Sequence, residues 1–427
     1  SNNTAIGRSA LVANTTGATN TAVGKSAMAA NTTAANNTAI GYNTLLVNTT
    51  GANNVALGGS ALGSNTSASN NTAIGISAMV ANTTGASNVA VGFGALDANT
   101  TATRNTAVGA NAASTNTTGT RNSAVGYDAL FANTEGNYNT AMGDIALREN
   151  TTASYNTAVG MGALEKATTG GFNVAVGTLA LDALTTGVDN VAIGHDCLTL
   201  NVAGDNVVAI GAEAAQQLNP SGNVDMNGVY IGVQAGDEVT TGPHNTVVGA
   251  LAANALTTGS NNLLLGTTAG NASQPGGSIS TGDNQIVIGN ASSQNAHIQI
   301  DWTVASDERD KTDFTALDLG LDFVKGLEPV TYKWDKRSKY GEDVSTITHD
   351  GTHKEDWLDV GFKAQAVEAL EEAAGYTIAD KTNLTTNLTD DGKQYGLTYS
   401  KFVPILVNAI QELSAKNDAL ESRLAAL

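Results

Sequence analysis

Near its last third the chain reads Ser306-Asp307-Glu308-Arg309-Asp310-Lys311, which sets a hydroxyl and an amine five residues apart. A lysine whose pKa is lowered by desolvation can accept the proton of a serine hydroxyl, and a single self-directed cut needs no turnover. The neighbouring Asp307, Glu308 and Asp310 oppose this, because carboxylates favour the charged amine. Spacing alone is therefore weak grounds for a site. A second cluster, His195-Asp196-Cys197, contains the one cysteine of the chain. It has the ligand types of a metal or thiolate site, but the reading we favour is an apolar thiol at a strand edge. One cysteine excludes an intrachain disulfide and a four-cysteine zinc site. Paired carboxylates for glycan hydrolysis do not recur in residues 1–300. No G-x-x-x-x-G-K-[ST] loop is present either. We expect no cofactor and no bound metal.

These residues stand at the edge of a long repeat. The unit begins N-T-A-[VIL]-G, and its glycines fall at Gly7, Gly24, Gly41 and onward to Gly211, thirteen positions each 17 residues apart. Spacing then loosens through Gly232, Gly249, Gly266 and Gly289, making seventeen units. The insertions Asn219-Pro220-Ser221-Gly222 and Gln274-Pro275-Gly276-Gly277 read as loops leaving the stack. Alternation around each glycine predicts a short strand, and a second apolar point (Leu11, Met28, Leu45, Leu62) predicts another before a turn such as Asn14-Thr15-Thr16-Gly17. Each unit becomes one coil of a narrow parallel β-solenoid, about 80 Å long in all. Stacked Asn and Thr can satisfy one another and the turn backbones. Asn-Thr-Thr at Asn14, Asn48 and Asn82 fits a glycosylation sequon, but a buried asparagine ladder is the preferred reading. A threonine array that orders water is the minor alternative.

Composition sets limits on function. Aromatics are 5%, charged residues 14%, and the net charge of −19 supplies no basic face for nucleic acid. Each coil offers only a few aliphatic side chains, so one flat face is expected to be covered by neighbouring chains, with a homotrimer preferred. No run of about 18 apolar residues suggests membrane insertion. The chain begins at Ser1 without a signal-peptide pattern and reads as a fragment of a longer protein.

After Asp301 the composition changes. Residues 1–305 hold 6 basic and 16 acidic side chains, and residues 306–427 hold 14 and 23. This second region predicts a helix over Leu317 to Leu327, strands at 329–334 and 360–364, and a helix from Gln365 to Ala374. A polar hairpin or loop at 345–354, a loop from Asn383 to Gln394 and a strand at 395–399 are also expected. A long closing helix carries a heptad seam of Leu406, Ile410, Leu413, Asn417, Leu420, Leu424 and Leu427. Its one polar member, Asn417, is of the kind that fixes register and strand number.

Two resemblances follow from these motifs. N-T-A-[VI]-G at fixed spacing resembles the head repeats of trimeric autotransporter adhesins and similar repeats in phage tail fibres. Residues 306–311 form the first of several motifs in a characteristic order. Leu327-Glu328-Pro329-Val330-Thr331-Tyr332, Gly361-Phe362-Lys363-Ala364-Gln365-Ala366-Val367 and Tyr399-Ser400-Lys401-Phe402 follow. That order resembles the C-terminal intramolecular chaperone of phage endosialidases and other tail spikes, also found in myelin regulatory factor. The resemblance implies a domain that trimerises, registers the fibre and is released by self-cleavage, with Ser306 as nucleophile and Lys311 as base. Cleavage would fall among Ala305, Ser306 and Asp307, as the chain's only enzymatic act. Asp310 stands where that family usually has an apolar residue.

The fold expected is thus mainly β: a trimeric parallel β-roll over 1–290, a linker over 291–305, an α+β chaperone domain over 306–401 and a trimeric coiled-coil helix over 402–427. The expected function is that of a structural, receptor-binding tail fibre or spike on a virion, joined to upstream tail or baseplate proteins and binding a host surface receptor, a glycan by preference. The region from Asn219 to Gln285, with Tyr230, Asp237, Glu238 and His244, is where that contact is sought. The alternatives are a bacterial surface adhesin with the same release module, and the non-catalytic stalk of a polysaccharide-degrading spike.

Overall fold

The computed structural model of the chain describes residues 2–271, 278–290, 292–293, 306–336, 350–389, 392 and 394–426. The chain divides into two compact units, Ser1–Ala269 with Ser280–Ile288, and Gly270–Ile279 with Gly289–Leu427.

The first unit is a parallel β-solenoid whose seventeen three-residue strands form one sheet. Thr4, Ala5 and Ile6 pair with Thr21, Ala22 and Val23, and this register is kept from coil to coil. At most strand centres an alanine is fully buried (Ala22, Ala39, Ala56), with Tyr230, Val247, Leu264 and Val287 taking that place in the last four strands, while the residue before the glycine is exposed (Ile6, Ile40, Leu57) or half-buried (Val23, Val91). Alanine thus fills a narrow interior over most of the stack, and the last coils take larger side chains at the same point. The repeat glycine is required twice over. Gly75 has φ +139°, and a Cβ there would lie 2.2 Å from the carbonyl oxygen of Gly92 in the next coil.

The second apolar point does not lie on a strand, contrary to the expectation of two strands per coil. Met28, Leu45 and Leu62 are fully buried, but they sit in turns with φ of 52°, 46° and 50°. The residue two before each, Ser26, Asn43 or Ser60, is also left-handed. Such a conformation costs about 1–2 kcal/mol per residue without compensation. Stacking supplies the compensation. The Asn43 amide donates back to Lys25 O and the Leu45 amide forward to Ala61 O, so each turn is tied to both neighbouring coils.

The asparagine ladder is present, in two columns. In one, each Asn Nδ2 donates to the Oδ1 of the preceding coil: Asn65 to Asn48 at 2.8 Å, Asn82 to Asn65 at 3.1 Å and Asn99 to Asn82 at 2.8 Å. In the other, the Asn54 backbone amide donates to Asn37 Oδ1 at 2.8 Å, and Asn54 Nδ2 reaches Ala68 O at 2.9 Å. The sequon residues Asn48 and Asn82 are fully buried. Thr32, Thr49 and Thr83 each donate a hydroxyl to a carbonyl of the following coil, so these side chains serve stacking. At the first insertion Val224–Asp225 pairs with Gly204–Asp205 as a small added ladder. Residues 274–277 of the second lie outside the described residues.

The second unit contains helix α1 (Leu321–Gly326), helix α2 (Ala364–Ala373) and helix α3 (Phe402–Ala425). Its core gathers Leu319, Phe323, Val367, Phe402 and Ile405. Helix α1 begins at Leu321 rather than Leu317 because α3 occupies the groups an earlier turn would use. Asn408 Nδ2 donates to Leu317 O and Leu319 O, both at 3.1 Å, and Glu412 accepts the Leu321 amide at 2.9 Å. Val330–Tyr332 pairs antiparallel with Asp359–Gly361. The expected loop from Asn383 to Gln394 contains a strand, Thr386–Leu388, paired with Tyr395–Leu397. Residues 345–349, half of the hairpin or loop expected at 345–354, lie outside the described residues.

Candidate functional site

The six residues from Ser306 to Lys311 are all exposed and fold into one short turn. Glu308–Asp310 is a single 3-10 turn capped by Asp307, whose Oδ1 accepts the Arg309 amide at 2.9 Å. The Asp310 amide donates to Asp307 O and the Lys311 amide to Glu308 O. This wrapping returns the lysine to the serine. Lys311 Nζ lies 2.6 Å from Ser306 Oγ and 3.2 Å from Ser306 O. Proton exchange between hydroxyl and amine therefore needs no rearrangement of either backbone.

The acidic neighbours are not equivalent. Arg309 grips Asp307 with its guanidinium, Nη2 at 2.6 Å from Oδ2 and Nε at 3.0 Å from Oδ1. The side-chain bond from Arg309, and then its amide, hold the Asp307 carboxyl below the usual carboxylate range, while Asp307 raises the arginine. Asp307 is thus committed to Arg309 and not to Lys311. Ala305 lies outside the described residues.

Helix α3 has two faces. Phe402, Ile405 and Ala409 are buried against the domain, whereas Leu406, Ile410, Leu413, Leu420 and Leu424 are exposed, Leu424 to 74%. Asn417 on that seam is also exposed, and its Nδ2 donates to Glu421 one turn on, at 3.1 Å. The seam is not spent on the helix's own domain. Leu427 lies outside the described residues.

Residues 306–376 match the family model described as chaperone of endosialidase. The matched segment begins at Ser306 and takes in Lys311, α1, the Val330–Tyr332 and Asp359–Gly361 pair, and α2. The chain therefore carries a chaperone-of-endosialidase domain after a β-solenoid. A comparison with curated proteins and with solved structures returned no match.

Inside the chaperone domain the residue that sequence reasoning missed is Glu371. It is buried, and its two carboxylate oxygens accept the amides and hydroxyls of both Thr385 and Thr386, pinning that strand to α2. Burial pushes its pKa up, but the four donated bonds outweigh it and leave the carboxyl below its ordinary value. No periodic signal marks such a residue, since its partners are fourteen and fifteen positions away.

Outside the chaperone domain the other sequence candidates come apart. Cys197 sits in a turn inside the solenoid, not at a strand edge; it is buried where equivalent coils carry small residues such as Ala27 and Ala61, and its thiol is pushed up to about 12 by burial. His195 beside it is exposed and pairs with Asp196 at 3.4 Å, so thiol and imidazole share no site. Among the described residues no group of three or more His, Cys, Asp or Glu is placed to hold a metal. Their helices include none long and apolar enough to cross a membrane. Of the residues considered for receptor contact, Tyr230 is fully buried, while Glu238 and His244 are exposed and Asp237 is half-buried. Tyr230 replaces the strand alanine, and glycines make its room: a Cβ at Gly228 or Gly236 would come within 2.6 Å or 2.4 Å of its ring. A surface aromatic column was also missed, Tyr138, Tyr155 and Phe172, whose rings stack at 4.9 Å spacings under the Arg121 guanidinium. Its signal was available, because the three lie one repeat apart.

Proposed function

We propose that the chain is the β-solenoid part of a trimeric phage tail fibre or spike, whose C-terminal domain brings three chains into register and is then released by cleavage beside Ser306. The observation that carries this reading is the 2.6 Å contact between Lys311 Nζ and Ser306 Oγ at the start of the matched segment. Two further features support the trimer. One is the exposed leucine seam of α3, and the other is the apolar stripe before the repeat glycines of the solenoid, exposed at Ile40, Leu57 and Ile74 and half-buried at Val23 and Val91.

The chemistry is a single self-directed acyl transfer. The Ser306 hydroxyl proton passes to Lys311 Nζ, and Oγ bonds to the carbonyl carbon of the neighbouring peptide. The carbon–nitrogen bond breaks as the lysine returns its proton to the departing amine, and water then splits the ester. The exposed turn does not itself desolvate the amine, so trimer assembly is the step that would enclose it and time the cut. Receptor binding is assigned to the solenoid surface, with glycan as the ligand class.

Expression of the chain and its Ser306→Ala form, weighed under denaturing and native conditions, tests this reading. Cleavage of the parent alone into pieces near residues 1–305 and 306–427, from a trimeric assembly, is the expected result. An intact parent that has folded removes the self-cleavage reading, and a folded monomer removes the trimer.

A further inference from the structure

Five extended residues span about 17 Å, far more than a lysine side chain can bridge, so the contact between Lys311 and Ser306 depends on the turn between them. A lone 3-10 turn on a surface is marginal by itself. Here it is held by two groups. The Asp307 carboxylate accepts the Arg309 amide as an N-cap, and the Arg309 guanidinium folds back on both oxygens of that carboxylate. The same grip removes Asp307 as a counter-charge for the lysine, leaving Glu308 and Asp310 as the acidic neighbours in the turn.

We propose that Asp307 and Arg309 are a positioning pair, which closes the turn that sets Lys311 Nζ against Ser306 Oγ and keeps the Asp307 carboxylate from competing for the lysine. Neither touches the bond-making atoms through its side chain. The pair's part in the cut rests on the self-cleavage reading above, whereas its geometry does not. Arg309 is the cleaner probe because it lies outside the expected cleavage positions. An alanine there frees Asp307 and loosens the turn, and a misplacement of about 1 Å at a reacting pair can cost about 10²-fold in rate. Lysine at 309 can meet Asp307 as a point charge but not as a fork.

The test follows cleavage of the full chain by denaturing mass measurement, in the parent, Arg309→Ala, Arg309→Lys and the Ser306→Ala blank, with native mass measured alongside. Arg309→Ala is expected to slow cleavage by about 10²-fold, with Arg309→Lys recovering part of the loss and the assembly state unchanged. Cleavage of Arg309→Ala at the parent's rate overturns the pair while leaving self-cleavage standing. Loss of assembly together with cleavage in both variants marks a folding role and overturns it too. If the parent is not cut, the self-cleavage reading falls, and the pair is decided in the uncleaved chain by the Arg309 Nε–H signal. A hydrogen-bonded signal that Asp307→Ala abolishes supports the pair, and one indistinguishable from free arginine overturns it.

Discussion

Replacing Asn99 by alanine should open the solenoid locally, and the structure sets the size of the effect. Asn99 is fully buried; its Nδ2 donates to Asn82 Oδ1 at 2.8 Å and to Ala102 O at 3.3 Å, and its Oδ1 accepts Asn116 Nδ2 at 3.2 Å. Truncation leaves Asn82 Oδ1 without that donor. Asn116 keeps its bond to Gly119 O, and Ala102 O keeps Asn88. One orphaned buried acceptor costs about 1–3 kcal/mol, and two weakened partners that each keep another bond add about 0.5 kcal/mol apiece, so about 3 kcal/mol is a fair value. Because repeats communicate mainly with their neighbours, the loss should stay within adjoining coils. Amide hydrogen exchange reads this directly: protection over residues 82–119 should fall by about 10²-fold, with residues 174–193 unchanged. A fall of less than about threefold in coils that remain folded would refute the ladder argument. The chain holds its own control. The column ends at Asn150, whose Oδ1 has no partner because Ala167 stands in the next coil. Ala167→Asn would only pass the orphan on toward Leu184, so it should change stability by less than about 1 kcal/mol.

Other outcomes follow from single sites. Gly75→Ala meets both a forbidden φ and the Gly92 carbonyl at 2.2 Å, and should cost about 4 kcal/mol or more, read as lost yield or a lowered melting temperature. The stability that Glu371 contributes is fully present above the ordinary carboxylate value of about 4.3 and is lost as pH falls through its depressed folded value. Glu371→Gln should therefore cost about 1–3 kcal/mol near neutrality in denaturant titration, and the gap to the parent should close in acid. Asp237 has the opposite sign. Burial, with Glu238 and Glu213 nearby, raises it to about 6, so its charged form weakens the fold above that pH. Asp237→Asn should be the more stable form at pH 7–8, with its advantage vanishing as pH falls below about 4.

How far the fold could be read from residues depended on whether a feature repeats. The 17-residue period fixed the coils, their parallel register and the asparagine columns, because every coil restates the same steric demand. It did not reveal that Leu45 and its equivalents sit in left-handed turns, since an apolar point two positions after Asn43 looks the same on a strand. In the chaperone domain, α2 and α3 were legible from their apolar spacing. The late start of α1 and the strand at Thr386 were not, because both depend on side chains from distant segments, Asn408 and Glu412 in one case and Glu371 in the other. At Ser306 the sequence supplied a hydroxyl, an amine five residues on and a resemblance. Which of the three acidic neighbours Arg309 would pair with was not legible, because the choice of Asp307 depends on the 3-10 turn between them.

Near-identical coils create a counting problem during folding, because a coil displaced by one unit of 17 residues would meet almost the same neighbours. The Tyr230 coil breaks that degeneracy. Its own leucine position is Gly236, and the corresponding positions of the flanking coils are Ala215 and Ala253, whereas the two coils before those carry Leu198 and Leu181. A stack formed one unit out of step would set the tyrosine coil beside a leucine where an alanine belongs, in an interior with no room to spare. The bulky ring therefore acts as an index mark. It lets a monotonous polymer of coils find a single alignment.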